Sequence, residues 1–225
     1  MHSIAAISSS SGAASYFTND NYYTEDNAEP GVWHGEGAEK LGLSGDVDKE
    51  TFENLLNGIL PDGTQVGDPK NRRLGLDDTF SAPKSVSIMA LVAGDTRLVE
   101  AHKQAVKAAV NYMEKNHAEA RNYSRNPNGE AEKTGNLVTA IFTHDTSRAL
   151  DPNLHGHAIS MNLTQAPDGS WKALWNQEIW KNNTTIGQVY HAVLRNLVEK
   201  LGYSVEAAGK HGTFEIKGCL LYTSP

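Results

Sequence analysis

The chain has 225 residues, of which 39% are hydrophobic and 21% charged, and its formal net charge is −7 at pH 7. That length allows one large domain or two small ones, and the composition excludes collagen-like and disordered chains. No apolar run approaches the roughly 18 residues of a membrane-spanning helix, so we expect no membrane association. The single cysteine, Cys219, excludes an intramolecular disulfide and a multi-cysteine zinc site, and a reducing cytoplasm is expected. The acidic balance argues against bulk electrostatic coating of DNA but leaves room for a local basic groove.

Hydrophobic periodicity and turn residues predict the following elements, in chain order. They are a strand at 3–7, helices at 12–17 and 47–60, a strand at 74–80, helices at 83–92 and 96–118, strands at 137–144, 154–163 and 171–175, a helix at 177–201, and a hairpin of 203–207 with 213–216. Helices and strands alternate without a regular βαβ rhythm. This favours an α+β fold with a central, largely antiparallel sheet flanked by helices.

Polar residues next to the helical patterns predict where three helices begin. Asp48 and Asp95 precede apolar stripes and are typical N-caps. Ser81 precedes Pro83, and proline suits the first turn of a helix, so Ser81 is expected to cap the helix at 83–92. The last helix is expected to bury Ile186, Val189, Val193, Leu197 and Leu201.

Three histidines lie in two neighbouring predicted strands. His155 and His157 are two residues apart, so their side chains leave the same sheet face. His144 ends the preceding strand, and antiparallel pairing at a spacing of about 4.8 Å would bring it to that face. Three neutral imidazoles form an open, catalytic type of metal site. Nitrogen ligands suit Zn, Mn, Ni, Co or Cu, whereas Mg usually prefers oxygen.

Two other interpretations of these histidines stay open. Most His-x-His pairs are merely surface residues. Two histidines and a carboxylate would instead form a non-haem iron site, as in an oxygenase. His144 and Asp145 could contribute to such a site, although Asp145 points to the opposite face if the strand continues.

The N-terminal segment contains tyrosines with no evident core to fill. Tyr16 lies near the end of the short helix predicted at 12–17, and Tyr22 and Tyr23 lie in a polar stretch. Their rings could simply pack against the protein while their hydroxyl groups contact solvent. Alternatively, a phenolate can attack phosphorus and form a covalent phosphotyrosine. Since a phenol ordinarily has a pKa of about 10, this chemistry needs a base or a nearby positive charge.

An acidic pair and a lysine accompany this constellation. Asp77 and Asp78 are adjacent in a predicted strand, so only one can face the histidines. That aspartate would fix an imidazole tautomer or accept the tyrosine proton. Lys84, in the first helical turn, could meet a phosphate beside the backbone N–H groups, or be a solvated surface lysine.

Longer motifs join these residues. They are Ser15-Tyr16 with Tyr22-Tyr23, GAEKLGL at 37–43, Asp77 with TFSAPKSVS at 79–87, TGNLV at 134–138, and HDTSR at 144–148 running to PNLHGHA at 152–158. Together they resemble the TrwC/TraI-type (MobF) conjugative relaxases of the HUH endonuclease superfamily. The resemblance implies the palm sheet of that superfamily and a domain that nicks one strand of a plasmid transfer origin to initiate conjugation.

The resemblance also implies roles for individual residues. Tyr16 matches the first nicking tyrosine, which attacks the scissile phosphodiester and stays on the 5′ phosphate. Tyr22, followed by Tyr23, matches the second tyrosine pair, which serves a later strand transfer. Asp77 matches the acidic residue of the site. The metal triad matches His144, His155 and His157, with Mg or Mn as the working ion and Zn, Ni, Co or Cu able to occupy the site.

Three positions depart from the family pattern. Phe17 stands where relatives often have a second adjacent tyrosine, which leaves Tyr16 as the candidate there. Gly156 stands where relatives often have threonine between the two histidines. Asp78 replaces an expected apolar residue, and Asp77 is preferred because it holds the motif position.

The implied partners are single-stranded origin DNA, relaxosome accessory proteins and a coupling protein. Candidate DNA contacts are Lys84, Arg148, Arg72 and Arg73. A monomer is expected, acting in the donor cytoplasm and transferred with the DNA. Residues 1–218 are interpreted as the relaxase domain, truncated at its C-terminus because the family's domains run longer, and 219–225 as a tail outside the family. An origin-binding module without cleavage activity is the alternative.

Overall fold

The computed structural model describes residues 1–19, 30–147 and 151–219. Its helices are α1 Ser10–Asn19, α2 Glu36–Lys40, α3 Lys49–Leu56, α4 Lys84–Leu91, α5 Thr96–His117, α6 Gln177–Lys181 and α7 Asn183–Lys200. Its strands are β1 His2–Ala6, β2 Val32–His34, β3 Gly75–Ser81, β4 Glu119–Arg121, β5 Ala131–Lys133, β6 Thr139–Thr146, β7 Pro152–Met161, β8 Thr164–Gln165, β9 Trp171–Lys172, β10 Leu174–Trp175, β11 Val205–Ala207 and β12 Phe214–Ile216. Apart from Cys219, the predicted tail lies outside the described residues, as do Tyr22, Tyr23 and Arg148.

The central sheet has five strands in the order β1-β3-β7-β6-β2, and every neighbouring pair is antiparallel. The predicted α+β fold with a central antiparallel sheet is therefore confirmed. Because side chains alternate between faces along a strand, the sheet separates two cores. One contains residues of α4, α5 and α7, and the other contains residues of α1 and α3. Among the described helices, none has the length and apolar character needed to cross a bilayer.

Two of the three predicted N-caps are confirmed. Asp48 accepts a hydrogen bond from the amide of Thr51, and Asp95 accepts one from the amide of Arg97. The prediction for Ser81 is wrong, because Ser81 is the last residue of β3 and pairs with His155. Pro83 holds the N-cap position of α4 and makes no side-chain cap.

The predicted helix at 177–201 is two helices that meet at Asn182. Of the predicted stripe, Ile186 is fully buried, and Val193, Leu197 and Leu201 pack half-buried against the core. The most buried line of α7 lies one residue later, at Tyr190, Leu194 and Val198. The prediction used aliphatic residues alone and therefore missed Tyr190, which lies at the centre of the buried face. Tyr190 is fully buried, and its hydroxyl lies 2.7 Å from Nδ1 of His102 on α5.

Several short elements differ from the sequence-based expectation. The single strand predicted at 171–175 is split, so that β9 pairs with β8 and β10 pairs with β4 in a separate sheet. The pattern missed β2, α2, β4 and β5, which have only three to five residues each. Such segments are too short for a periodicity to develop.

Candidate metal centre and nucleophile

The register of β6 and β7 brings three histidines to one place on the sheet. His144 lies directly opposite His155, and Phe142 lies opposite His157. Cross-strand partners share a face, and so do residues two apart, so all three imidazoles point the same way. The ladder becomes irregular immediately after His144. The predicted convergence of the three rings is therefore present in the structure.

The three rings form a compact cluster. Their centroids lie 5.3, 5.2 and 5.1 Å apart. One nitrogen from each of His144, His155 and His157 lies within 4.8 Å of the others. His155 and His157 are buried, whereas His144 is half-buried. A set of three nitrogen donors open on one side fits a divalent transition metal ion with remaining positions for other ligands.

Hydrogen bonds fix the orientation of two of these rings. Nδ1 of His155 donates to the carbonyl of Asn153 at 2.8 Å. Nδ1 of His157 donates to both carboxylate oxygens of Asp77, at 2.9 and 3.0 Å. Since both partners are acceptors, each ring carries its proton on Nδ1 and keeps the lone pair of Nε2 for a metal. Partners of this kind orient metal-binding histidines and increase their basicity.

Burial keeps His144 and His155 in the uncharged form that binds metals. Loss of solvation and, to a smaller extent, the neighbouring imidazoles together lower the pKa of His144 to about 4. Burial also lowers the pKa of His155, although the Asn153 carbonyl partly opposes that shift. Neutral imidazoles can present their lone pairs without first losing a proton.

The adjacent aspartates occupy opposite faces of β3. Asp77 faces the histidine cluster and bonds His157. Asp78 faces the other core, where it is fully buried and lies 3.0 Å from Nε2 of His2. Strand alternation accounts for this division, and the preference for Asp77 agrees with its position. Thr79, which the sequence reading left without a role, donates to Asp77 at 3.3 Å. Because Thr79 is two residues from Asp77 in a strand, the sequence could have placed both side chains on the same face.

The N-terminal helix α1 places two aromatic rings over the cluster. The Tyr16 ring centroid lies 6.2 Å from that of His144 and 6.3 Å from that of His157. The Phe17 ring lies 5.1 Å from that of His157 and stacks on Phe142 at 5.2 Å. Phe17 therefore packs between His157 and Phe142, whereas Tyr16, also half-buried, lies beside the donors.

The basic candidates occupy different surroundings. Lys84 is exposed at the start of α4, with Nζ 3.4 Å from the carbonyl of Pro152. Arg72 donates to the backbone carbonyls of Val66 and Asn162, which ties the 61–71 loop to the end of β7. Arg73 is exposed and donates to the side chain of Asn176 at 3.3 Å. DNA contact by these residues stays a prediction, and the bonds of Arg72 also give it a structural role.

The first turn of α4 already has an acidic partner. The amide of Ser85 donates to a carboxylate oxygen of Glu215 at 2.8 Å, and the Ser85 hydroxyl donates to the same oxygen. Ser85 in turn accepts the amide of Ile216. The chain's own β12 thus supplies the negative charge that the helix end attracts. A phosphate near Lys84 would not have the Ser85 amide available.

Close packing explains the glycine between the two histidines. A side chain at Gly156 would point away from the cluster, toward α5. Its Cβ would lie 3.1 Å from Cγ2 of Val106 and 3.3 Å from Nε2 of His102. Glycine therefore lets α5 approach the back of β7, while the two flanking imidazoles are unaffected on the other face.

Comparisons with known proteins match nearly the whole chain. The family model described as TrwC relaxase matches residues 10–221. The multifunctional conjugation protein TraI of Escherichia coli (strain K12) is 44% identical over 232 residues, an alignment that covers 97% of this chain and 13% of that protein. The chain therefore spans only a small part of the length of this curated relative.

Solved structures are similar over nearly the whole chain. Conjugative relaxase TrwC in complex with oriT DNA, in a metal-free structure, has a TM-score of 0.84 and 42% identity, covering 96% of this chain and 75% of that one. Its metal-bound structure has a TM-score of 0.86 at the same coverage and identity. TrwC complexed with a 27-mer DNA comprising the recognition hairpin and the cleavage site has a TM-score of 0.84 and 41% identity, again covering 96% of this chain and 75% of that one.

Proposed function

The chain belongs to the TrwC relaxase family, and on that premise we propose that it nicks one strand of plasmid transfer-origin DNA and later transfers the cut strand, which initiates conjugation. The observation that carries this proposal is the position of Tyr16. Its ring lies 6.2 to 6.3 Å from the rings of two of the three clustered histidines, so a phosphate held at the cluster would be near the phenol.

The proposed step is a transesterification. The Tyr16 hydroxyl oxygen attacks the scissile phosphorus, a phosphotyrosyl ester forms on the 5′ phosphate, and the bond from phosphorus to the 3′ oxygen breaks. The phenol proton leaves Tyr16, and the departing 3′ oxygen becomes a hydroxyl. One phosphoester replaces another, so the reverse reaction can rejoin the strand without an added energy source.

His144, His155 and His157 would hold a divalent ion, whose chemistry is to polarise the phosphate oxygens and offset the charge that develops in the transition state. Asp77 keeps the His157 ring in the orientation that presents Nε2, which preserves the donor set between turnovers. We propose Mg or Mn as the working ion, with Zn, Ni, Co or Cu able to occupy the site.

The proposed substrate is single-stranded origin DNA. Lys84, Arg72, Arg73 and Arg148 are the proposed phosphate contacts, and Tyr22 with Tyr23 the proposed second acceptor for strand transfer. We further propose that the chain acts as a monomer in the donor cytoplasm, together with relaxosome accessory proteins and a coupling protein. A few local contacts suffice for one short site, which is compatible with a net charge of −7.

A covalent-adduct experiment tests this function. The protein is incubated with a panel of labelled single-stranded transfer-origin oligonucleotides and Mn or Mg, then resolved on a denaturing gel. We expect a slower, protein-linked band that requires the ion and is absent in Tyr16→Phe. Tyr123→Phe, on an exposed loop tyrosine, is the matched control. Oligonucleotide binding without any adduct would support a binding module instead and refute the nicking proposal.

A further inference from the structure

His2 and Asp78 form a buried pair on the sheet face opposite the histidine cluster. The antiparallel register places His2 beside Phe80 and Ile4 beside Asp78. Nε2 of His2 lies 3.0 Å from a carboxylate oxygen of Asp78, and the two side chains are 2% and 0% exposed. The imidazole also stacks on Phe80, with centroids 4.4 Å apart and planes 17° apart.

The partners of the His2 ring fix how many protons the pair carries. Nδ1 lies 3.0 Å from the backbone carbonyl of Asn183, the first residue of α7. A carbonyl only accepts, so Nδ1 carries a proton. A carboxylate also only accepts when ionised, so a second proton must lie between Nε2 and Asp78. It sits either on the ring, as an ion pair, or on the carboxyl group, and the pair is neutral in both cases.

We propose that this pair is a proton-dependent clasp, which fastens β1 to β3 and to the start of α7 and loosens when its shared proton is lost. Helix α7 reaches the ring because Gly187 has no side chain, since a Cβ there would lie 2.9 Å from Cβ of His2. The clasp therefore joins three elements that are distant in sequence through one imidazole.

The cost of losing that proton follows from the burial of Asp78. Without it, an ionised carboxylate would face the lone pair of Nε2 in an apolar core. The second carboxylate oxygen of Asp78 is buried and has no hydrogen-bond partner among the described residues, so it cannot share the charge. An uncompensated buried charge is strongly destabilising. Burial also raises the pKa of Asp78, so it too favours retention of the proton.

Other titratable groups lie near the pair on the surrounding elements. Asp77 adjoins Asp78 on β3, and its negative charge favours retention of the proton. His191 of α7, the Met1 amine, Lys210 and His211 line the adjoining cavity of about 410 Å³ with His2. Burial lowers the pKa of His191 to about 4 and that of the Met1 amine to about 6, so both are mainly uncharged near pH 7.

Proton linkage gives the sign of the effect. In the unfolded chain a histidine releases its proton near pH 6.5 and an aspartate near pH 3.9, as rough reference values. Between those values the folded and unfolded pairs each hold one proton. Above about pH 6.5 only the folded pair keeps it, so the folding equilibrium constant falls by up to tenfold per pH unit. The Met1 amine contributes the opposite sign between about pH 6 and 8, because the folded state releases its proton first.

A double-variant comparison isolates the clasp from those other groups. Urea unfolding is measured from pH 5.5 to 9 for the wild type, His2→Leu, Asp78→Leu and the combined variant. We expect the equilibrium constant of the wild type to fall relative to the combined variant as the pH rises above 6.5, approaching tenfold per unit. We also expect His2→Leu to be less stable than the combined variant, because it leaves the buried carboxyl group of Asp78 without its partner. Parallel wild-type and combined-variant profiles would overturn the clasp.

A second measurement does not depend on the variants folding. Long-range ¹H–¹⁵N NMR of the C-terminally tagged wild type reports the protonation of both His2 ring nitrogens at pH 8. We expect the pair to hold its shared proton at pH 8. The spectra would then show either two protonated ring nitrogens or the Asp78 carboxyl ¹³C shift of the acid. A neutral His2 ring facing an ionised Asp78 at pH 8, with β1 still in place, would refute the proposal. Neither measurement needs DNA or metal, so a failure of the clasp proposal can be distinguished from a failure of the nicking proposal.

Discussion

Asp77 accepts from His157 through both carboxylate oxygens, at 2.9 and 3.0 Å. This contact joins β3 to the middle of the histidine cluster. Asp77→Asn keeps the size of the side chain but removes its charge and one strong acceptor. We expect affinity for Mn or Co to fall about 10- to 100-fold, which calorimetric titration measures. Asp145→Asn, an exposed change on β6, is expected to alter the affinity much less. Equal losses in the two variants would contradict the orienting role of Asp77.

The histidine cluster predicts stabilisation by metal. An ion that binds only the folded state at 100 times its dissociation constant adds about 2.7 kcal/mol to the free energy of unfolding. We expect Mn or Co to raise the thermal unfolding midpoint and EDTA to reverse the increase. His157→Gln should lose this response, whereas His34→Gln, which lies on β2, should keep it. A metal response in His157→Gln as large as in the wild type would argue against the proposed ligand.

Tyr16 is predicted to act in the chemistry and not in metal binding. We expect Tyr16→Phe to form no covalent adduct with origin oligonucleotide while its Mn affinity stays within about twofold of wild type, since the phenol is not among the three donors. Titration calorimetry and a denaturing gel on the same preparation measure both quantities. An adduct formed by Tyr16→Phe would move the nucleophile to another residue.

Phe17 is predicted to matter through its packing. Its half-buried ring lies between Phe142 and His157, so Phe17→Ala should lower the free energy of unfolding by about 1–3 kcal/mol, less than for a fully buried ring. Urea unfolding measures this loss. Phe17→Tyr keeps the ring and is expected to stay close to wild type. If Phe17→Ala is as stable as wild type, the stacking contributes little.

Glu215 is predicted to fasten the C-terminal hairpin to α4. Glu215→Gln removes the charge at the helix end and weakens the bond from the Ser85 amide, so we expect a loss of about 1 kcal/mol. Hydrogen exchange across β11 and β12 should become faster. Glu206→Gln is the matched control, because Glu206 is the exposed cross-strand partner of Glu215. Similar hydrogen-exchange rates in the Glu215→Gln and Glu206→Gln variants would show that Glu215 does not fasten the hairpin to α4.

Local periodicity in the sequence predicted the long helices, the central strands and the face on which the site residues lie. The histidine convergence followed from strand alternation and a short connection, and the division between Asp77 and Asp78 followed from the same alternation. The positions that it missed depend on contacts across the chain. Nothing near His2 indicates that its ring will meet Asp78, 76 residues later, and the carboxylate of Glu215 reaches Ser85 across 130 residues. Tyr190 defines the buried face of α7 through His102, which no aliphatic pattern reveals.

The three imidazoles all come from one hairpin, β6 and β7, whose ladder holds His144 opposite His155. The tyrosine comes from α1, an element remote in sequence that contacts this hairpin through aromatic side chains. The proposed electrophile and the proposed attacking group therefore come from separate segments of the chain, so residues 10–19 could be replaced without changing any of the three nitrogen donors. A different reactive side chain in that segment would then meet the same three imidazoles, provided that a ring in place of Phe17 still packs on Phe142.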